Sequence, residues 1–135
     1  KPLMLIYSPI DVTGGYPSAG RMWCKNLIEL YKEKYEIKIA ACGWGNLPEG
    51  FIQENHEEWG FLEDFLLKEN LTKQPDIYIH HGIPNEFNRV GYYNVLICAG
   101  IETNICSPLW IEGINKASVE LIDIMDIIYN LNTEK

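Results

Sequence analysis

Three groups of residues have the types and spacing that chemistry requires: the adjacent imidazoles His80 and His81, the carboxylate of Glu102, and the paired glycines Gly14 and Gly15. An imidazole with an ordinary pKa near 6.5 can hydrogen-bond a hydroxyl or take up a proton near neutral pH. A carboxylate accepts hydrogen bonds from sugar-like hydroxyls. A glycine loop that opens a helix offers backbone amides and the positive end of the helix dipole, which together favour an anion such as phosphate. Each feature also has a plain structural reading: a tight turn for the glycines, a strand end for the histidines, a solvated loop for Glu102.

The histidines are neighbours, and side chains alternate along a strand, so only one of them can face a given cleft. His81 shares the face of Ile79 and His80 takes the other; the sequence leaves open which one meets the cleft. The same alternation argues against a metal held by the pair. His56-Glu57-Glu58-Trp59 lacks the H-E-x-x-H spacing of a zinc protease and reads as a solvated helix start. Ser107-Pro108 has the form of a helix opening, Ser as N-cap and Pro at the first helical position, with Trp110 more suited to packing than to ligand stacking.

The elements that must position these groups alternate. Leu3–Tyr7 is an uninterrupted apolar run, suited to a strand buried on both faces. A loop with Gly14-Gly15 follows. Ser18 then reads as an N-cap, and Cys24, Leu27, Ile28 and Tyr31 recur at helical spacing. Ile37–Cys42 reads as a second strand, 43–50 as loop, and Glu57–Lys68 as a helix with a stripe of Phe61, Leu62, Phe65 and Leu66. Asp76–Gly82 is a third strand that runs into the histidines, 83–92 a connector, and 93–99 a fourth strand that delivers Glu102. Strand and helix in alternation predict an α/β fold, a Rossmann-like three-layer domain with a mostly parallel sheet. Ligands of such sheets sit outside the carboxyl ends of the strands, where the strand order switches. Gly14-Gly15, His80-His81 and Glu102 all fall at such ends.

Composition bounds the rest. The chain has 135 residues, about one domain, with 47% hydrophobic and 22% charged residues, ordinary for a globular protein that buries a core. A net charge of −8 argues against nucleic acid as partner, which needs a clustered basic footprint. No apolar run reaches the ~18–20 residues of a membrane span, and no signal segment opens the chain. Cys24, Cys42, Cys98 and Cys106 form no C-x-x-C pair. A reducing, cytoplasmic setting is expected. No dinucleotide fingerprint is present, which weakens an oxidoreductase reading.

Several blocks together resemble a known family. These are Tyr7-Ser8-Pro9 through Gly14-Gly15 and the next helix, "QPDIYIHHGIP" over 74–84, and "AGIET" over 99–103 with "WIEGIN" over 110–115. They resemble the N-terminal half of family-four-type retaining glycosyltransferases of the GT-B fold, over about residues 3 to 116. The resemblance implies a Rossmann-like, acceptor-side domain over 1–116. It would belong to a two-domain enzyme that moves a sugar from a nucleotide-sugar donor to an acceptor hydroxyl. It implies Gly14 and Gly15 at the donor diphosphate, and His81 with Glu102 as the catalytic pair lining the acceptor side, with His80 as the alternative to His81. No metal and no cofactor are implied. Most of the donor contacts would come from a second domain, so this chain alone is expected to be inactive. Residues 117–135 depart from the family pattern. Leu121, Ile124, Met125, Ile128 and Leu131 make a helical stripe, read as a C-terminal helix packing on the same domain, although "IMDIIYNL" equally fits a strand. The competing functional reading is a non-enzymatic, flavodoxin-like α/β binding module.

Overall fold

A computed structural model describes residues 1–83 and 86–98. Four strands, β1 (Leu3–Ser8), β2 (Glu36–Ala41), β3 (Ile77–His81) and β4 (Tyr93–Ile97), form a sheet in the order β2-β1-β3-β4. Every pairing is parallel. The chain steps from β1 to β2 in one direction and then crosses back to β3, so the strand order reverses between β1 and β3. The expected α/β, Rossmann-like parallel sheet is therefore the observed fold.

Register and alternation define the core. Met4 aligns with Ile37 and Ile77, and Ile6 aligns with Ile39 and Ile79, which in turn aligns with Val95. These side chains share one face of the sheet and pack against Cys24 and Ile28 of helix α1 (Gly15–Tyr31), and against Ile52 and Leu62. All of them are buried. Removing one such aliphatic side chain typically costs about 2–5 kcal/mol. On the opposite face Leu3, Leu5 and Tyr78 are buried as well. β3 is buried along its whole length, as expected of an interior strand in a parallel sheet.

Two expected elements differ in detail. Helix α1 begins at Gly15, with Gly14 rather than Ser18 at the N-cap. Pro17 does not delay the helix, because the first turn has no intrahelical partner for its N–H groups and Pro supplies none. A short helix, α2 (Phe51–Glu54), precedes the span where a single helix is expected, and Glu57–Lys68 itself holds two short pieces, α3 (His56–Trp59) and a 3-10 turn (Gly60–Phe65). The His56 ring lies where a side chain at residue 60 would point, within 2.7 Å of a Cβ built there, so Gly60 lets the chain pass tightly. Leu66 then extends to make a parallel bridge with Ile39, and Leu67 N donates to Ile39 O at 2.8 Å. The apolar stripe is thus split between a tight turn and an edge bridge. Glu102, the helix expected at Ser107-Pro108 and the tail 117–135 lie outside the described residues.

Candidate functional site

The loop from β1 to α1 is fixed from two sides. Arg21, buried on α1, donates through Nη1 to Ile10 O at 2.9 Å and to Val12 O at 2.8 Å. Its guanidinium lies 3.7 Å from the centroid of the Phe51 ring, a stacked cation–π contact. Asp11 holds the other side. Its Oδ1 accepts from Ile52 N at 2.9 Å, and its carbonyl accepts from the Gly50 and Phe51 amides at 3.0 Å each. The loop then reaches Gly14, whose φ of 127° is a left-handed-side conformation that glycine adopts at little cost. The first intrahelical bond runs from Ser18 N to Gly14 O at 3.0 Å. The Gly15 and Tyr16 amides thus precede it at the positive end of a 17-residue helix, with no acidic residue in its first turn.

His81 meets this helix end. At the last position of β3 it lies on the α1 face of the sheet, and its Nδ1 is 3.0 Å from Ser8 Oγ at the last position of β1. Both residues are buried. α1 can approach this pair only because residue 20 is glycine: a Cβ there would fall on Ser8 Oγ and lie 3.1 Å from His81 Nδ1. The hydroxyl–imidazole pair is a positioning contact rather than a nucleophile–base dyad, since Ser8 is sealed beneath α1 with no exposure. It fixes one ring nitrogen and leaves Nε2 as the other hydrogen-bonding position. Burial pulls the His81 pKa below 6.5, which keeps the ring neutral at physiological pH.

Gly15 and His81 line one cavity of about 450 Å³, with Tyr16, Ala19 and Trp23 of α1 and with Ile97 and Cys98 at the end of β4. Tyr16 is 5.1 Å from the His81 ring and is stacked on Trp44, with centroids 4.7 Å apart and an interplanar angle of 25°. The cavity opens at the carboxyl ends of β3 and β4, next to the point between β1 and β3 where the strand order reverses. The carboxyl end of the strands is the side on which open parallel sheets receive ligands.

His80 goes the other way. Its ring packs among Tyr7 at 4.5 Å, Phe87 at 5.1 Å and Tyr78 at 6.0 Å, with Nδ1 3.4 Å from the Tyr78 hydroxyl. Its Nε2 is buried and has no hydrogen-bond partner among the described residues. Burial, helped by the neighbouring His81, lowers its pKa to about 4. Of the two histidines, His81 shares a cavity with Gly15, and His80 occupies an aromatic box on the opposite face. Gly14 caps α1 but does not line the cavity, and Glu102 lies outside the described residues. Among the described residues no group of three or more His, Cys, Asp or Glu side chains is arranged to hold a metal ion, and no helix is long and apolar enough to cross a membrane.

Sequence reasoning missed Ser8, Gly20 and Arg21 as parts of this arrangement. The "YSP" stretch and Gly20 were visible in the sequence, but Ser8 meets His81 across 73 residues of chain. Comparison with protein-family models, with curated proteins and with solved structures gives no match to this chain.

Proposed function

We propose that the chain is the N-terminal, acceptor-side Rossmann-like domain of a retaining nucleotide-sugar glycosyltransferase acting in the cytoplasm. The observation that supports this most is the meeting of Gly15, at the N-terminus of α1, with His81 in one cavity at the carboxyl ends of β3 and β4. In this reading the amides around Gly14 and Gly15 face the donor diphosphate and stabilise the charge that develops as it leaves. His81 hydrogen-bonds the acceptor hydroxyl and orients it, and Glu102 serves on the same acceptor side. Transfer breaks the bond between the sugar C1 and the diphosphate oxygen and forms a bond from C1 to the acceptor oxygen. The hydroxyl proton passes to the departing diphosphate.

Arg21 is a basic residue that touches this loop, and its charge is already committed to the Ile10 and Val12 carbonyls and the Phe51 ring. A second domain would therefore supply the cationic clamp on the diphosphate. The chain alone is expected to transfer no sugar and to bind nucleotide sugars weakly, since each missing hydrogen bond to a charged group is worth about 1.5–3 kcal/mol. The test is a panel of nucleotide sugars, titrated by calorimetry into this chain and assayed for turnover on the two-domain protein of the parent reading frame. Turnover of one donor by the two-domain protein, with weak binding here, supports the reading. Low-micromolar binding by this chain alone, or no donor consumed by the longer protein, overturns it.

A further inference from the structure

The direction of the hydrogen bond between Ser8 and His81 decides what the imidazole can offer a ligand. The Ser8 carbonyl accepts from the amides of Ile10 at 2.9 Å and Cys42 at 3.2 Å, which pins the residue at the end of β1. Its side chain is enclosed by described elements. Ser8 pairs with Ala41 of β2 on one side and meets His81 of β3 on the other. Gly20 of α1 roofs it, since a Cβ there would fall on Ser8 Oγ. Oγ is completely buried and lies 3.0 Å from His81 Nδ1. The His81 ring, neutral at physiological pH because burial lowers its pKa, carries a single hydrogen, on Nδ1 or on Nε2.

Two arrangements fit the same distance. If Nδ1 carried the hydrogen, Ser8 would accept it, and the Ser8 O–H would need another acceptor in the interior. Among the described residues Nδ1 is the one atom hydrogen-bonded to Oγ. A buried O–H with no acceptor is costly, whereas a second lone pair left unused on a hydroxyl oxygen costs little. When the hydroxyl donates, one contact satisfies both groups. We infer that Ser8 is a positioning residue: it donates to Nδ1 and holds His81 in the form that carries its hydrogen on Nε2. The nitrogen left for a ligand is then a hydrogen-bond donor, and the ligand atom that meets it is an acceptor oxygen. In the transferase reading, on which this last step rests, that oxygen belongs to the hydroxyl that receives the sugar. The Nε2–H group engages one lone pair and leaves the hydroxyl hydrogen free to point at the departing diphosphate. His81 thus orients the nucleophile and takes no proton from it.

Nitrogen-15 NMR of the histidine rings in this chain, at neutral pH and without any ligand, tests the assignment. His81, identified through its backbone resonances, should show its one ring hydrogen on Nε2. Its Nδ1 should resonate upfield of a free lone pair, because it accepts a hydrogen bond. Ser8→Ala should move that Nδ1 resonance downfield by several parts per million and leave the exposed His56 ring where it was. A ring hydrogen on Nδ1 overturns the inference, and so does an Nδ1 resonance that ignores the loss of the Ser8 hydroxyl. If Ser8→Ala does not fold, the parent protein decides. A slowly exchanging Ser8 hydroxyl hydrogen coupled across the bond to Nδ1 supports the inference, and an Nδ1–H group refutes it. The transferase reading fails separately, through a two-domain protein that consumes no donor, and the ring spectrum does not depend on that result.

Discussion

Replacing Gly20 with alanine sets two well-measured effects against each other, and the geometry decides the sign. Gly20 lies inside helix α1, where alanine is favoured over glycine by about 1 kcal/mol in propensity. The added methyl, however, would sit on Ser8 Oγ and 3.1 Å from His81 Nδ1. Neither neighbour can retreat easily, because Ser8 is completely buried and His81 nearly so. Whether α1 lifts from the sheet or Ser8 is forced aside against its packed surroundings, the overpacking costs about 1–3 kcal/mol. In both cases the Ser8–His81 hydrogen bond is disturbed, and a buried polar group left unpaired adds about 1–3 kcal/mol. Subtracting the propensity gain leaves a net destabilisation of roughly 1–5 kcal/mol, centred near 3.

Urea denaturation followed by far-UV circular dichroism measures this directly. Gly15→Ala is the control. Nothing lies within 4 Å of a Cβ at residue 15, so that variant should stay within about 0.5 kcal/mol of the parent. Ser8→Ala removes the oxygen that the methyl strikes. In that background Gly20→Ala should cost about 1–2 kcal/mol less, a coupling expected of residues in contact. A Gly20→Ala protein as stable as the parent would refute the reasoning. So would an equal loss in the presence and absence of the Ser8 hydroxyl, because the methyl would then not be meeting Ser8.

Two further perturbations follow from the same contacts. Both histidines titrate lower when folded than the 6.5 of the unfolded chain, so the unfolded state binds more protons as pH falls, and stability declines from pH 6.5 toward 4. At 1.36 kcal/mol per pH unit that window bounds the His80 share at about 3 kcal/mol. His80→Phe should flatten the slope of stability against pH, and an unchanged slope would contradict the burial of a neutral ring. Arg21→Lys keeps the charge but loses the planar group over Phe51 and shifts the nitrogen that donates to both Ile10 O and Val12 O. It should lower stability by about 1–3 kcal/mol in urea melts, and a neutral result would show that the loop does not depend on the guanidinium.

The strands were legible because their runs are apolar and short, and because polar or glycine residues mark where each one stops. Helix α1 was legible from the recurrence of Cys24, Ile28 and Tyr31, all of them buried. The segment 51–67 was not, because hydrophobic spacing cannot reveal that Leu66 leaves the helical path to pair with Ile39. Tertiary hydrogen bonding overrides the local period there. The candidate site was half legible. Alternation required the two histidines to face opposite ways, but only the packing of α1 shows that His81 takes the Gly15 side. Arg21 was invisible because an arginine within an amphipathic helix normally reads as surface, and its burial depends on carbonyls from a loop nine to eleven residues earlier.

The carboxyl rim of this sheet departs from what folding alone would select. Ser8, His80 and His81 occupy strand positions that continue the buried faces of Ile6, Tyr78 and Ile79, where aliphatic side chains would pack without polar atoms to satisfy. His80 leaves a ring nitrogen unpaired among the described residues, and both imidazoles lose stability at low pH, so the two histidines are unfavourable to the fold. Within β1 and β3 these residues fall only at the last two positions. The amino-terminal parts of those strands, Leu3 to Ile6 and Ile77 to Ile79, are apolar apart from the Tyr78 hydroxyl. Of these groups His81, with its partner Ser8, stands beside a glycine-opened helix and an aromatic cavity, the pattern expected when local rules give way to a binding requirement. A random polar substitution would have no reason to recur on two strands at the same height. On this ground the Ser8–His81–Gly20 contact belongs to the site as well as to the core.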